Sequence, residues 1–141
     1  QPDFLRKLLA KLRARPEWPA CRLVFLGDLV DRGPDVPGCV QLVMDLIAER
    51  PGSTCVMGNH DLALVKAAGL DGSPPGYWVR RYGDAYDHNP TFRGYLGREP
   101  EYHDFADWQA DLRALADAMP AAHRAFLANL PWAAEAAGHL F

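Results

Sequence analysis

The stretch CRLVFLGDLVDRGPDVPG (residues 21–38) sets an apolar run directly against Asp28, Asp31 and Arg32. CRLVFL reads as a strand of the kind buried on both faces in α/β proteins. Gly27 ends it and lets the backbone turn sharply. RGPDVPG is a loop by its glycine and proline content. The pattern recurs in STCVMGNHDLAL (residues 53–64), where a second short strand runs through Gly58 into Asn59, His60 and Asp61. Between the two, Val40, Val43, Met44 and Ile47 mark the buried stripe of a helix from Gly38 to about Arg50. Strand, loop, helix and strand make a βαβ unit with parallel, neighbouring strands. Both polar clusters therefore follow the carboxyl ends of adjacent strands, the edge at which open α/β sheets hold ligands.

The rest of the chain is consistent with one domain over residues 1–141, long enough to bury a core. Apolar residues make up 49% and charged ones 23%, ordinary for a globular protein. A net charge of −3 and a pI of about 5.9 argue against a nucleic-acid polymer as partner, which calls for a basic face. They leave room for small phosphorylated substrates, because a bound divalent cation reverses the local field. Cys21, Cys39 and Cys55 are widely spaced among apolar neighbours and read as buried free thiols of a reducing, cytoplasmic compartment. No apolar run is long enough to span a membrane, and Gln1-Pro2-Asp3 does not begin a signal peptide. The first residues enter a helical pattern at once and the last, GHLF, look like a strand, so both ends are expected to be cut inside elements.

Phe4, Leu5, Leu8, Leu9 and Leu12 form one face of an amphipathic helix, stopped by RPEWP. Asp61 is expected to open a helix through DLALVKAAG, with Gly69 just past its end. The segment from Asp71 to Arg98, rich in Gly, Pro, Tyr and charge, reads as a long, partly irregular insertion. Its Tyr77, Trp78, Arg80, Arg81 and Tyr82 either line a groove or, the favoured alternative, pack the insertion onto the core. Phe105, Trp108, Leu112, Leu115 and Met119 give a helical stripe, and a last helix begins near Pro120 with Phe126, Leu127 and Leu130 inward. Residues 71–130 together are expected to form a cap of loop and helices beside the polar edge. His88, His103 and His123 are expected to be solvated.

Neighbouring strands lie about 4.7–4.9 Å apart, so the Asp28 carboxylate and the Asn59 amide oxygen can reach one cation. Hard oxygen ligands beside imidazole suit Mn²⁺, Fe or Zn²⁺. Arg32 offers a planar fork to a phosphate. His60 can protonate a leaving oxygen, with Asp31 or Asp61 holding its ring in one tautomer. Metal, phosphate clamp and acid together describe metal-assisted hydrolysis of a phosphate ester. Taken singly, Asp28 is a turn or cap residue, Asp31-Arg32 a surface ion pair and His60 an exposed polar side chain. Two such clusters at matched strand ends are harder to explain that way.

GDLVDRG (residues 27–33) followed by GNHD (residues 58–61) resembles the calcineurin-like metallophosphoesterases, specifically the phosphoprotein (serine/threonine) phosphatase branch in its bacterial form. The resemblance implies an α/β fold, a β-sandwich flanked by helices (αββα), incomplete here and carrying a helical cap insertion. It implies two divalent metal ions, Mn²⁺ foremost, with Asp28 bridging them and Asn59 binding the second. It further implies that His60 is the general acid, that Asp31 orients it, that Arg32 and Asn59 contact the phosphate, and that a metal-bound hydroxide attacks phosphorus in line. An upstream Asp-x-His-Gly motif would fall just before Gln1, and later histidine motifs would follow Phe141. His139, before the end of the last strand, is not one of those ligands. With Asp28 and Asn59 alone, the 141 residues are expected to bind metal weakly and turn over little, and the parent protein to be the enzyme. HNPTFRGYLG (residues 88–97) loosely resembles a further family segment, with Asn89, Thr91 and Tyr95 in matching places. The expected substrate is a phosphate monoester, such as phosphoserine or phosphothreonine in a protein. The alternatives are a dinucleoside polyphosphate and a catalytically silent binding module.

Overall fold

In the computed structural model, which describes residues 2–74 and 76–141, the two apolar runs pair in parallel, but over a shorter span than their hydrophobicity suggests. β1 (Val24–Phe25) lies beside β2 (Thr54–Cys55), with Val24 opposite Thr54 and Phe25 opposite Cys55. The ladder begins one residue earlier, where Thr54 N–H donates to Leu23 C=O at 2.9 Å and Leu23 N–H donates to the Ser53 hydroxyl at 2.9 Å. Burial of β1 on both faces is not observed: Val24 and Phe25 are half-buried and Leu26 is exposed. Among the described residues this sheet has two strands, so each has only one paired edge within it.

The first strand leads to α2 (Val36–Glu49), which starts two residues before the expected Gly38, inside the stretch read as loop. The Asp35 carboxylate accepts from Gly38 N–H at 2.8 Å, and Pro37 occupies the first turn. Val36, Cys39, Val40, Val43 and Leu46 are its buried stripe. α1 (Pro2–Arg13) packs against α2, burying Leu9 but leaving Phe4 and Leu8 exposed, so its apolar face is covered only in part. A single 3₁₀ turn, Trp18–Ala20, links α1 to β1. Cys21 follows that turn and is exposed, unlike Cys39 and Cys55, because the strand does not begin until Val24.

α3 (Asn59–Ala67) starts two residues before the expected Asp61, so Asn59 and His60 stand in its first turn. Its end follows the sequence: Gly69 takes φ +65° and Leu70 N–H donates to Val65 C=O at 2.9 Å. The supposedly irregular insertion is largely helical. α4 (Tyr77–Ala85) buries Val79 and Tyr82, and α5 (Asn89–Leu96) buries Pro90, Thr91 and Phe92. The glycines and prolines of this segment mark helix ends: Gly76 precedes α4, Pro90 sits in the first turn of α5 and Gly97 closes it at φ +73°. α5 lies against α2 so tightly that a Cβ on Gly94 would stand 2.6 Å from Pro37 Cδ.

α6 (Phe105–Ala118) is capped by the Asp104 carboxylate, which accepts from Asp107 N–H at 2.9 Å, and it buries Trp108, Leu112 and Leu115. α7 (Ala121–Ala128) follows Pro120 and buries Leu127. β3 (Glu135–Ala136) and β4 (His139–Leu140) close an antiparallel hairpin, with Ala137 at φ +51° and Gly138 at φ +77° in its two-residue turn. The core runs from α2 through α3 into α4, α5, α6 and α7, with Tyr82, Phe92 and Trp108 as its aromatic centre. Two histidines expected in solvent belong to it. His88 stands against Trp108 with ring centroids 4.9 Å apart, and His123 is held between the Tyr95 hydroxyl and Gln41 Oε1, each at 2.9 Å. Burial lowers the His123 pKa. His103 is exposed as expected. Among the described residues the whole is a mixed α/β arrangement of helices around a parallel strand pair, with a separate antiparallel hairpin. Among the described residues no helix is long and apolar enough to cross a membrane.

Candidate active site

The tips of β1 and β2 meet backbone to backbone, and two glycines make this possible. Gly27, at φ +76°, approaches so closely that a Cβ on it would lie 2.2 Å from Gly58 N. A Cβ on Gly58 would lie 2.2 Å from Asp28 N. Asp61, fully buried, staples the two tips: its carboxylate accepts from Asp28 N–H at 2.7 Å, Leu29 N–H at 2.9 Å and Gly58 N–H at 3.1 Å. Burial pushes this carboxyl up, and those three amides pull it back. Of the two aspartates expected to hold His60, Asp61 is thus committed to the backbone.

Asp31 is the partner of His60. Its Oδ2 lies 2.8 Å from His60 Nδ1, with both side chains nearly inaccessible. The other oxygen, Oδ1, accepts from the Thr91 hydroxyl at 2.8 Å and from the Tyr82 hydroxyl. Asp31 N–H in turn donates to Thr91 Oγ1 at 2.8 Å. Burial moves the Asp31 carboxyl upward against the opposing pull of Tyr82, His60 and Thr91. The His60 ring stands edge-on to Tyr86, with centroids 4.9 Å apart. Among the described residues its Nε2 has no hydrogen-bond partner, and no fully buried side-chain nitrogen or oxygen is left without one. Nε2 is therefore the open corner of the ring.

Asp28 and Asp31 both take left-handed backbone conformations, at φ +54° and +73°. Aspartate tolerates this region better than most residues, at a cost of about 1–2 kcal/mol each. The kinked backbone places Asp28 over the first turn of α3, where its Oδ1 accepts from His60 N–H at 3.1 Å and meets the positive end of the helix. Asp28, Arg32 and Asn59 are exposed, and neither the Arg32 guanidinium nor the Asn59 carboxamide is engaged by another described side chain. Among the described residues no three His, Cys, Asp or Glu side chains gather in a metal-binding group, and the side-chain oxygens of Asp28 and Asn59 lie exposed at this edge.

Sequence reasoning missed Tyr82 as a partner of Asp31, and it noticed Thr91 only through a loose motif. Of the aromatic and basic residues of the 71–98 segment, Tyr82 packs inward, whereas Tyr77, Arg80 and Arg81 join Phe105 around a groove of about 390 Å³. Packing onto the core, the favoured alternative, holds for Tyr82.

The profile of the calcineurin-like phosphoesterase family matches residues 1–128. A symmetrical bis(5'-nucleosyl)-tetraphosphatase of Methylococcus capsulatus (strain ATCC 33009 / NCIMB 11132 / Bath) is 41% identical over 64 residues, 45% of this chain and 21% of the relative. A protein of the same description from Pseudomonas putida (strain W619) is 41% identical over 63 residues, 45% of this chain and 20% of the relative. The match spans about a fifth of the length of these relatives. With its two glycine-bounded tips joined at one sheet edge and its sequence matched almost throughout, the chain belongs to the calcineurin-like phosphoesterase family.

Proposed function

We propose that the full-length protein is a metal-dependent hydrolase of phosphoric esters and anhydrides, with His60 as the acid that protonates the leaving oxygen. The observation that carries this is the buried His60–Asp31 pair, with Nε2 open, on the same edge as the unengaged Arg32 and the oxygen donors Asp28 and Asn59. Asp31 holds Nδ1–H, so a proton delivered by the ring leaves from Nε2. Arg32 binds non-bridging phosphoryl oxygens through its planar fork.

The donor chemistry fits a divalent metal. A carboxylate just past the tip of β1 and an unengaged carboxamide in the first turn of α3 offer hard oxygen ligands for Mn²⁺, and also for Fe or Zn²⁺. A catalytic ion usually takes three or more protein ligands, so further ligands come from residues other than these two. When bound, a pair of such ions neutralises phosphoryl charge and makes a water molecule acidic enough to attack.

For the substrate, we favour a bis(5'-nucleosyl) tetraphosphate over a phosphoprotein, because both relatives carry that description. Full-length protein with Mn²⁺ should show a higher kcat/KM on such a dinucleotide than on p-nitrophenyl phosphate or a phosphoserine peptide. Faster hydrolysis of the phosphopeptide would transfer the assignment to the protein phosphatases. No hydrolysis of any of the three, with or without Mn²⁺, would leave a binding module.

A further inference from the structure

We propose that Tyr82 and Thr91 are positioning residues for the acid: they lock the Asp31 carboxylate in the one orientation that presents Oδ2 to His60 Nδ1. The inference rests on the proposed role of His60. Both residues are fully buried. α4 delivers Tyr82 and α5 delivers Thr91, and both meet Asp31 from the side opposite His60.

The hydroxyls around Asp31 favour one arrangement of protons. A hydroxyl has one proton to give. Thr91 accepts from Asp31 N–H and its hydroxyl reaches Oδ1 at 2.8 Å. The Tyr82 hydroxyl also points at Oδ1. Two donors on one oxygen favour the ionised carboxylate and leave Oδ2 for the imidazole. His60 then carries its proton on Nδ1, and Nε2 faces the substrate edge. The competing arrangement, a neutral carboxyl giving its own proton to Nδ1, places the ring proton on Nε2 instead.

An aspartate carboxylate rotates easily about its last torsion. Its φ of +73° also puts Asp31 in a backbone region that needs external support. Thr91 supplies both constraints, one to the amide and one to the carboxylate. Tyr82 supplies a third from a ring packed against Trp108 at 6.2 Å and Tyr86 at 5.7 Å. Without them Oδ1 is free, the carboxylate turns, and His60 loses its fixed tautomer. A misplaced acid matters most where the leaving group is poor.

The test uses the full-length protein in two independent readouts, on the wild type, Tyr82→Phe, Thr91→Val, Thr91→Ser and the Tyr82→Phe/Thr91→Val pair. Ring ¹⁵N shifts of His60, recorded without metal at about pH 9 where a free imidazole is neutral, report the tautomer. We expect Nδ1–H in the wild type and in Thr91→Ser, and a mixture of tautomers in Tyr82→Phe, Thr91→Val and the pair. Turnover of an alkyl phosphate should fall roughly tenfold in Thr91→Val and Tyr82→Phe, while p-nitrophenyl phosphate, whose leaving group needs no proton, is largely spared. A purely structural role would lower both substrates together. Nε2–H in the wild type, or unchanged Nδ1–H in the double variant, would overturn the inference even if the protein is an active phosphoesterase. The expected tautomers without hydrolysis of any phosphate would keep the clamp and remove the proposed function.

Discussion

The two halves of the site are built to different degrees of completion. On one side, Asp31 and His60 are buried, and Asp31 has every oxygen engaged by a donor from α3, α4 or α5. On the other, Asp28 and Asn59 stand in solvent, and Asn59 makes no side-chain hydrogen bond among the described residues. Glycine contact and the Asp61 staple fix where those donors start, and His60 N–H holds Asp28 Oδ1, but nothing among the described residues fixes where the Asn59 oxygen ends. The proton-handling half is organised by the chain before any ligand arrives. The cation-handling half offers ligands whose geometry the ion itself completes.

Substitutions that cut the shared floor of the two halves should have the largest effect. Asp61→Ala leaves three buried or part-buried backbone amides without their acceptor, at about 1–3 kcal/mol for each group left unsatisfied. We expect loss of the folded state in thermal melts; a melting temperature close to that of the wild type would show that water reaches the amides and that the staple is dispensable. Gly27→Ala ranks next, since its Cβ would meet Gly58 N at 2.2 Å in a left-handed conformation. A cost of roughly 3 kcal/mol follows from strain and overpacking together, and urea titration would measure it. A change below about 0.5 kcal/mol would mean that the tips separate freely.

A milder effect comes from His123, away from both halves. Its folded-state pKa lies below the usual 6.5, so the unfolded chain binds the extra proton more readily. Stability is therefore fully present above about pH 6.5 and is lost as the pH falls through that value toward the folded-state pKa. His123→Gln should flatten this part of the stability–pH curve. A slope unchanged in the variant would assign the effect to other groups. The smallest effect belongs to Leu8→Gln on the half-covered α1, expected within about 0.5 kcal/mol of the wild type.

What could be read from the sequence follows the same division. The strand pair, the helix between its strands, the α3 terminus at Gly69 and the placing of GDLVDRG beside GNHD depend on local signals, and the structure has all of them. The second layer around Asp31 was not readable, because Tyr82 and Thr91 approach it from 51 and 60 residues away. Their helices were also hidden by composition. Gly76, Pro90 and Gly97 suggest loop until the packing shows that they punctuate two helices. His88 and His123 misled for a related reason: a polar side chain gives no sign of burial when its partners, such as Gln41 for His123, sit far off in sequence. The reverse error was made at β1 and α1, where apolar runs promised burial that the described neighbours only partly provide.

The division into a prebuilt acid and an open cation edge is tested most directly by His60→Asn in the full-length protein, with Mn²⁺ binding by calorimetry and turnover followed on the same samples. The substitution keeps the backbone N–H that supports Asp28. The account predicts Mn²⁺ affinity near that of the wild type and turnover of a poor-leaving-group phosphate lower by about a hundredfold or more. Affinity and turnover falling together would contradict it, and so would turnover that survives the loss of the ring.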